Sequence, residues 1–560
     1  MTGEHSPLPA DLRAPRKWDR LIALALALGT FAAMALTHSA IGVPRDESYY
    51  FRAGQDYAGW YVDVWDALKQ GEPLKAFTDQ AIVRRFEYNH EHPVLTKVAF
   101  GLSHLLFTEK LHWTGDAGGY RLPAWVFSGL LSALLYLMAS RLSSRRGGLF
   151  AVAAFWLIPR QFFHGHLACF DIPIACMWLL TAYAYWRAQS SRWWILWTGV
   201  AFGLALSTKH NAWIIPGVFL VHFLLTSAPQ SWREGKAKAV ARAALPLLSM
   251  LAIGPVVFYL HWPYLWHAPI DRFAWYMGFH TQHINYPWEY FGRLLVEPPY
   301  PVGYAFGLTA MTVPVGILVL MTAGSLHEMA RFVATYVWHG AKRFVSELDA
   351  DSLLLLGNAF ASITVLSMPN IPIFGGIKHW LPSMPFLVLF AARALDRIAD
   401  TSADLWAPAK RFAFPLGATL ALVPALWGVV HNHPYGTSFY NELAGGYPGG
   451  ATLGMHRQYW SNNVTGVLPW LNQNAPRNAR VFFHEVTYDS YWAYRKAGML
   501  RDDLQYVGDI ESSEVAVYQY MPEFRDFEMQ IWNSYGTQTP VHGLYLDETP
   551  QIVIYQRARR

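Results

Sequence analysis

LIALALALGTFAAMALTHSAI, residues 21–41, is a long apolar run, and the stretch Arg45-Asp46-Glu47-Ser48-Tyr49-Tyr50 follows shortly after it. A helix needs about 20 apolar residues to cross a bilayer, so this run predicts a first membrane span. The acidic pair Asp46-Glu47 stands where that helix leaves the membrane. A base at this surface could act on a substrate that a lipid delivers. Helix capping within a solvated loop is the alternative interpretation.

The rest of the composition is also typical of a membrane protein. The chain has 560 residues, of which 53% are hydrophobic and 15% charged, whereas ordinary soluble domains have about 25% charged residues. The shorter run at 94–107 indicates a half-span or a helix at the membrane surface. We predict a polytopic α-helical protein with about eleven transmembrane helices, at 20–41, 122–140, 149–163, 171–186, 193–207, 211–226, 243–262, 303–323, 352–368, 379–397 and 412–430.

The positions of Lys and Arg predict the orientation, because these residues collect in cytoplasmic loops. Eleven spans place every basic cluster inside, including those near Arg16, Arg145 and Lys238. We therefore predict a multi-pass protein of the cytoplasmic (inner) membrane, with residues 1–19 as a cytoplasmic tail and an extracytoplasmic C-terminus. Residues 20–430 form the membrane domain, and 42–121 its first outer loop. Membrane lipids are expected partners, whereas no dense basic patch indicates nucleic acid.

From residue 431 the apolar spans stop, and residues 431–560 are predicted to form a small extracytoplasmic α/β domain. Alternating apolar residues predict strands at Arg480-Val-Phe-Phe, Glu514-Val-Ala-Val-Tyr and Gln551-Ile-Val-Ile-Tyr, and a helix is possible over 488–500.

The unusual polar residues of the membrane domain all fall on the predicted outer face. Lysine is a good point-charge partner for phosphate, so a lysine fixed at the bilayer surface could meet a lipid phosphate. Anchoring at the interface is the alternative for each residue alone. Three short motifs carry the candidate phosphate-binding or substrate-binding residues: Glu91-His92-Pro93-Val94-Leu95-Thr96-Lys97, Thr208-Lys209-His210-Asn211, and Lys378-His379-Trp380-Leu381-Pro382.

Asp171 opens a predicted membrane helix shortly after His164 and His166. A carboxylate at a helix N-terminus is a favourable cap, which is the structural interpretation. Alternatively, the two histidines and Asp171 could bind a metal or phosphate. The outer loop 263–302 is rich in His, Trp and Tyr, and it could line a groove for a sugar or an acceptor or lie among the lipid headgroups.

The order of these features resembles a known family. The chain contains, in this order, an acidic pair after the first span, a His-Pro loop end with a Lys, Arg121-Leu122-Pro123, an Asp in the second outer loop, a Thr-Lys turn and a Lys-His-x-x-Pro entrance. This order resembles the polyprenyl-phosphate-sugar-dependent membrane glycosyltransferases of the protein O-mannosyltransferase and aminoarabinose-transferase superfamily, which have the GT-C fold. The resemblance covers roughly residues 20–400.

The resemblance implies transfer of a sugar, mannose or similar, from a polyprenyl-phosphate donor to an acceptor hydroxyl on the outer side, with inversion. The acceptor is a protein, a lipid or a glycan. Asp46 would be the general base, assisted or oriented by Glu47, and Asp171 the second acidic residue. Lys209 and Lys378 would hold the leaving phosphate, with the histidines and Lys97 of the three motifs lining the site.

Polyprenyl phosphate is a competent leaving group, so no metal is obligatory, although a divalent metal could bind. The alternative function is a transporter or a flippase for lipid-linked sugars. Such proteins place charges at mid-bilayer and often have repeated halves, neither of which the sequence indicates.

Overall fold

The computed structural model describes residues 13–226, 237–347, 349–406 and 408–558. Two segments of predicted cytoplasmic sequence, 1–12 and 227–236, lie outside the described residues. The described chain is largely helical, and its main membrane-domain helices are Lys17–Thr37, Arg45–Lys69, Asp79–Phe86, Leu95–Ser103, Asp116–Leu142, Arg145–Trp156, Pro159–His166, Asp171–Ala188, Trp193–Leu206, Ile215–Leu225, Ala237–His261, Pro269–Thr281, Tyr304–Thr312, Val315–Glu347, Ala350–Leu366, Met384–Leu405 and Ala409–Asn432.

Within these described ranges, five helices are long and apolar enough to cross a membrane: Lys17–Ala40, Asp116–Leu142, Ala237–His261, Val315–Thr335 and Arg411–Asn432. A sixth span is possible if Pro159–His166 and Asp171–Ala188, which meet at a bend of 100°, count as one. Three apolar helices are shorter, among them Trp193–Leu206. The structure therefore supports a polytopic helical protein, and the predicted number of eleven spans is not confirmed.

Two predicted spans are broken in the structure, each at a proline. The predicted span 149–163 divides between Trp156 and Pro159, and the predicted span 303–323 divides between Thr312 and Val315, around Pro314. Proline lacks the backbone N–H that a continuing helix needs, but it is tolerated in the first turn of a new one. A second helix therefore begins after each break.

The first outer loop is itself helical and begins with the long helix Arg45–Lys69. The short helix Leu95–Ser103 packs closely against it at Gly54 and Gly101, where a Cβ atom on Gly101 would lie 1.8 Å from the carbonyl oxygen of Gly54. This helix continues as the π-helix His104–Lys110, and the nine and seven residues together rise at most about 24 Å, less than the roughly 30 Å of a bilayer core. This contact fixes the motif that ends in Lys97 beside the helix that carries Asp46.

The C-terminal part of the described chain forms a five-stranded mixed sheet. Its strands lie in the spatial order Gln505–Val507, Arg480–Phe483, Val515–Gln519, Thr549–Gln556 and His542–Leu546. The first three are parallel, and the last two are antiparallel to their neighbours. Small helices flank the sheet: Gly446–Thr452, Leu468–Asn474, Tyr488–Lys496 and Arg525–Tyr535. A separate pair of short strands, Trp288–Tyr290 and Arg293–Leu295, lies in the outer loop 263–302.

This C-terminal part is docked on residues 42–48, where the first outer loop begins. The backbone N–H of Val43 donates to the Tyr494 hydroxyl at 2.9 Å, and that hydroxyl donates to the Val43 carbonyl at 3.2 Å. Arg45 forms an ion pair with Glu485 at 2.6 Å. A Cβ atom on Gly42 would lie 2.7 Å from a backbone oxygen of the C-terminal part, so only glycine fits. The start of the Asp46 helix is therefore held from both sides.

Candidate active site

Asp46 lies in the first turn of helix Arg45–Lys69, where the positive end of the helix dipole favours a carboxylate. Its Oδ2 accepts a hydrogen bond from the Nζ of Lys378 at 3.1 Å. The Asp46 side chain is 24% exposed and that of Lys378 is 10% exposed. Asp46 is thus a solvent-reachable carboxyl group beside a nearly buried lysine.

Glu47 points in a different direction, because adjacent helical residues project about 100° apart. Its carboxylate is fully buried and receives two hydrogen bonds from the Arg121 guanidinium, at 2.8 and 2.6 Å. The backbone N–H of Ala168 donates to the same carboxylate at 2.8 Å. Arg121 also donates to three backbone carbonyls of residues 38–42. Glu47 therefore fastens the start of its helix to the membrane domain.

Lys378 is positioned by two glycines and two aromatic rings. Gly375 and Gly376 have φ angles of 64° and 62°, in the left-handed region that favours glycine. A Cβ atom on Gly375 would come within 2.4 Å of the Lys378 side chain. The Lys378 Nζ lies 4.9 Å from the ring centroids of both Phe374 and Trp460, a cation–π distance to each.

Asp171 forms a second acid–lysine pair at the start of helix Asp171–Ala188. Its Oδ1 accepts a hydrogen bond from Lys209 Nζ at 2.8 Å, and its Oδ2 lies 3.4 Å from His164 Nδ1. Asp171 and Lys209 are only 5% and 7% exposed. The backbone N–H of Leu95 donates to the carbonyl of Ser207 at 3.0 Å, which ties the Lys209 turn to the first outer loop.

His92 lies close to both of these pairs. Burial lowers its pKa well below the ordinary value, and the positive charges of Lys97, Lys209 and Lys378 lower it further. The imidazole of His92 is therefore neutral. His379 follows Lys378 directly, and its ring meets that of Phe374 edge-on at 4.7 Å.

His92, His210 and His280 form a group in which one ring nitrogen of each lies within 4.8 Å of the others. The rings of His210 and His280 stack at 4.0 Å. The Nδ1 atoms of His92 and His210 are buried and have no hydrogen-bond partner among the described residues. His280 contacts the Glu91 carbonyl through its Nε2 at 2.8 Å, which leaves its Nδ1 as a ligand atom. Neutral imidazoles are suitable metal ligands, so this group could hold a divalent cation.

The other predicted pair of metal ligands, His164 and His166, has different surroundings. Both ring nitrogens of His166 are engaged at 2.7 Å, with the Thr37 hydroxyl and with the Phe162 carbonyl. His164 instead faces Asp171 and contacts the Tyr459 hydroxyl through its Nε2 at 3.2 Å. The structure does not bring the two histidines to one point, and metal binding there stays a prediction.

Lys97 is fully buried and faces away from Asp46. Its Nζ donates to the carbonyl of His92 at 2.9 Å, to the Tyr57 hydroxyl at 3.1 Å, and to the backbone carbonyl and side chain of Asn89. Burial lowers the pKa of this lysine to about 7, although Glu91 opposes the shift. Lys97 therefore holds the segment 89–92 in place through these hydrogen bonds.

One comparison with known proteins bears on this cluster. The family model described as dolichyl-phosphate-mannose-protein mannosyltransferase matches residues 91–253, which include His92, Asp171, Lys209 and His210. The resemblance to the protein O-mannosyltransferase superfamily is confirmed. The match supports a transferase and does not favour the transporter alternative.

Solved structures with similar folds cover nearly the whole chain. ArnT from Cupriavidus metallidurans in the apo state is 15% identical, covers 95% of this chain and 97% of its own, and has a TM-score of 0.48. The same protein bound to undecaprenyl phosphate is 16% identical, with coverages of 95% and 97% and a TM-score of 0.45.

The Archaeoglobus fulgidus oligosaccharyltransferase in the apo form is 12% identical, covers 93% of this chain and 72% of its own, and has a TM-score of 0.48. At these scores the likenesses carry no argument about donor or acceptor. No match is found among curated proteins.

Three residues of the site were not assigned a role by the sequence analysis. Arg121 was noted only as part of a motif, although it holds Glu47. Tyr459 and Trp460 come from the chain after the last predicted span, and they contact His164 and Lys378. Trp460 has a φ of 71°, an uncommon left-handed conformation for a bulky residue. No sequence signal indicates that this turn reaches the cluster.

Proposed function

We propose that this protein transfers a sugar, mannose or a similar hexose or pentose, from a polyprenyl-phosphate donor to an acceptor hydroxyl. The observation that carries the proposal is the pair formed by Asp46 and Lys378, with a second pair, Asp171 and Lys209, in the same cluster. General-base transfer with a phosphate leaving group needs both an accessible carboxylate and nearby cations. The acceptor is a protein, a lipid or a glycan.

In the proposed reaction, the donor phosphate binds between Lys378 and Lys209. The phosphate competes with Asp46 for Lys378, which leaves the Asp46 carboxylate free to accept a proton from the acceptor hydroxyl. The hydroxyl oxygen then bonds to the anomeric carbon from the face opposite the phosphate. The bond between that carbon and the phosphate oxygen breaks, the polyprenyl phosphate departs with the electron pair, and the configuration inverts.

The other acidic residues have supporting roles in this proposal. Asp171 holds Lys209 near the phosphate through their contact at 2.8 Å. Glu47 positions the first turn of the Asp46 helix, because both of its oxygens are already occupied by donors. His92, His210 and His379 line the phosphate-binding region, and Lys97 supports His92.

The same proposal places the cluster on the outer side of the cytoplasmic membrane. The N-terminus is then cytoplasmic and residues 431–560 are extracytoplasmic. Support comes from the basic clusters, which eleven spans would collect on the opposite face.

For the metal, we propose that the transfer step itself needs none and that any divalent cation binds His92, His210 and His280. Two Zn–N bonds of about 2.1 Å span at most about 4.2 Å, so small ring movements would close the present group around zinc. Metal content of the purified protein is the measurement. Bound zinc that is lost in His210→Ala, together with transfer that survives chelation, is expected. Zinc retained in His210→Ala would contradict the assignment.

The test of function uses membranes that carry the wild type, Asp46→Asn or the control Asp66→Asn. Asp66 lies on the same helix, and its side chain is 54% exposed. We expect release of labelled sugar from polyprenyl-phosphate-mannose or polyprenyl-phosphate-glucose to fall by about 10²–10⁴-fold in Asp46→Asn only. Equal release by the wild type and both variants would refute Asp46 as the base, and no release with either donor would refute a polyprenyl-phosphate hexose as the donor.

A further inference from the structure

A cavity lies on the side of helix Arg45–Lys69 that faces away from Asp46. Its volume is about 870 Å³, within the range of roughly 300–1,000 Å³ that is usual for ligand sites. Ser48, Arg52 and Gln55 line it from one face of helix Arg45–Lys69, at a spacing of i, i+4 and i+7. Asp46 precedes Ser48 by two residues and so projects about 200° away. The cavity is therefore separate from the candidate active site.

The opposite wall comes from the C-terminal part of the chain, mainly from helix Tyr488–Lys496. The two walls are joined at one end by a hydrogen bond of 2.8 Å between the hydroxyls of Ser48 and Thr487. At the other end, Lys496 forms an ion pair at 2.5 Å with Asp116, the first residue of helix Asp116–Leu142, which also lines the cleft. The cavity is thus a built cleft between two parts of the molecule.

Most charges around this cleft are already compensated within the protein. Arg85 pairs with Asp63 through two of its nitrogens, at 2.7 and 2.8 Å. Arg495 lies 3.4 Å from Asp502. Arg85, Arg495 and Lys496 are therefore each paired with a carboxylate, and Arg52 lies over the Tyr88 ring at 4.3 Å. This arrangement disfavours a phosphate ligand.

Two carboxylates of the cleft have no such compensating ion pair among the described residues. Asp56 and Asp489 face the cleft from opposite walls, and in the part of the chain that the structure describes neither has a hydrogen bond or an ion pair. Burial raises the pKa of both carboxyls, and the positive charge of Arg52 opposes the shift in each case. Because Arg52 lies within electrostatic reach of both, a metal cation between them is disfavoured.

The remaining lining offers hydrogen bonding and a flat apolar surface. Carboxylate oxygens accept hydrogen bonds from hydroxyls, and the Gln55 amide both donates and accepts. Trp492 also lines the cleft, and its side chain is 45% exposed. Sugars present rows of hydroxyls along their edges and apolar C–H faces that pack on aromatic rings. The Arg495 guanidinium lies over the Trp492 ring at 4.5 Å, and the rest of the indole stays exposed. An overall balanced charge, free acceptors and a partly exposed indole match that chemistry better than they match an ionic ligand.

We propose that this cleft is a carbohydrate-binding site that takes a neutral oligosaccharide. Asp56, Asp489 and Gln55 bind its hydroxyls, and Trp492 packs on a sugar face. The proposal goes beyond the transfer reaction, because the cleft binds the glycan whether or not the sugar donor is present.

The test is calorimetric titration of the purified full-length protein with mannotetraose, maltotetraose and chitotetraose. The detergent must not be a glycoside, since a maltoside headgroup would compete for the cleft. We expect at least one tetrasaccharide to bind, with Trp492→Ala and Asp489→Asn each weakening it tenfold or more. Matched controls are Tyr545→Ala, an aromatic residue 50% exposed outside the cleft, and Asp66→Asn.

Each result decides the question. Binding that all four variants retain would overturn the proposal, because the glycan would then lie elsewhere. Failure of all three tetrasaccharides to bind with a Kd below about 1 mM would also overturn it. Gel filtration of every variant confirms that weaker binding does not come from misfolding, and Asp489→Asn changes shape so little that it serves as the second, independent variant.

Discussion

Glu47→Gln separates a positioning role for Glu47 from a catalytic one. Three N–H donors converge on its carboxylate: two from Arg121, at 2.8 and 2.6 Å, and one from Ala168, at 2.8 Å. A glutamine amide has a single oxygen, so its NH₂ group must face at least one of these donors. The substitution also leaves the Arg121 charge buried without a counter-charge.

The expected cost follows from this geometry. Losing a charge-assisted hydrogen bond costs about 1.5–3 kcal/mol, and breaking a buried ion pair from one side costs about 3–5 kcal/mol in total. Every 1.4 kcal/mol is a factor of ten, so the folding equilibrium falls by about two to three and a half powers of ten. That is a large share of the roughly 5–15 kcal/mol by which proteins are stable.

Stability is measured by heating the full-length protein in detergent and following the monodisperse fraction by fluorescence-detected gel filtration. Asp66→Asn on the same helix is the control, and it is expected to change stability by less than about 0.5 kcal/mol. Sugar transfer is measured on the fraction that stays folded. Glu47→Gln is expected to lose monodisperse protein at a clearly lower temperature than the control.

The double variant Glu47→Gln/Arg121→Met removes the unpaired charge as well. It is expected to recover much of the lost stability, since replacing a buried ion pair by uncharged groups is often neutral. Transfer should recover with it if Glu47 only positions the helix. A Glu47→Gln protein as stable as the wild type would refute the reasoning. Recovered stability without recovered transfer would instead restore a catalytic role for Glu47.

Three further predictions concern the lysines and Trp460. Lys209→Ala leaves the buried Asp171 carboxylate without its lysine, so we expect a loss of stability of about 3–5 kcal/mol. The double variant Lys209→Ala/Asp171→Ala should regain stability without regaining undecaprenyl-phosphate binding in native mass spectrometry. Unchanged binding would exclude Lys209 from the phosphate site. Trp460→Leu removes one of the two rings that hold Lys378, and such a cation–π contact contributes about 0.5–2 kcal/mol. The KM for the donor should therefore rise about two- to thirtyfold in Trp460→Leu and by less in Trp460→Phe. Equal KM values for both variants would argue against the cation–π contact. Burial lowers the pKa of Lys97 to about 7, whereas a lysine in the unfolded chain has a pKa near 10.4. Between these values the unfolded chain binds more protons, so the stability of the wild type should rise with pH from about 7 to 10. Lys97→Met should lack this rise in thermal unfolding, and an equal rise in both proteins would contradict the pKa shift.

Much of the helical and strand structure was predictable because it rests on local patterns. Strands were predicted at Arg480-Val-Phe-Phe, Glu514 to Tyr518 and Gln551 to Tyr555, and the structure has strands Arg480–Phe483, Val515–Gln519 and Thr549–Gln556. The long helix Arg45–Lys69 inside the first outer loop was not predicted, since its buried face becomes apparent only beside its partners. The breaks before Pro159 and around Pro314 were missed because the apolar runs continue through them.

The site was predictable in its residue types but not in its pairings. Short polar motifs at the ends of apolar runs identified Asp46, Asp171, Lys209 and Lys378. Asp46 and Lys378 are 332 positions apart, and only the fold shows that they form a pair. The different surroundings of Asp46 and Glu47 could not be predicted either. Adjacent side chains on a helix point about 100° apart around its axis, and their adjacency in sequence does not show what each one meets.

The docking of the C-terminal part on residues 42–48 has a consequence for how the protein is made. Arg45 and its partner Glu485 are separated by 440 positions in the chain. At about 5–20 residues per second, a ribosome needs roughly 20–90 s to add that length. During this interval Arg121 can already hold Glu47, but the first helix of the outer loop lacks the C-terminal groups that also fix its N-terminus. The cluster around Asp46 is therefore completed only near the end of synthesis, so a nascent or truncated chain inserts its spans before this cluster is assembled.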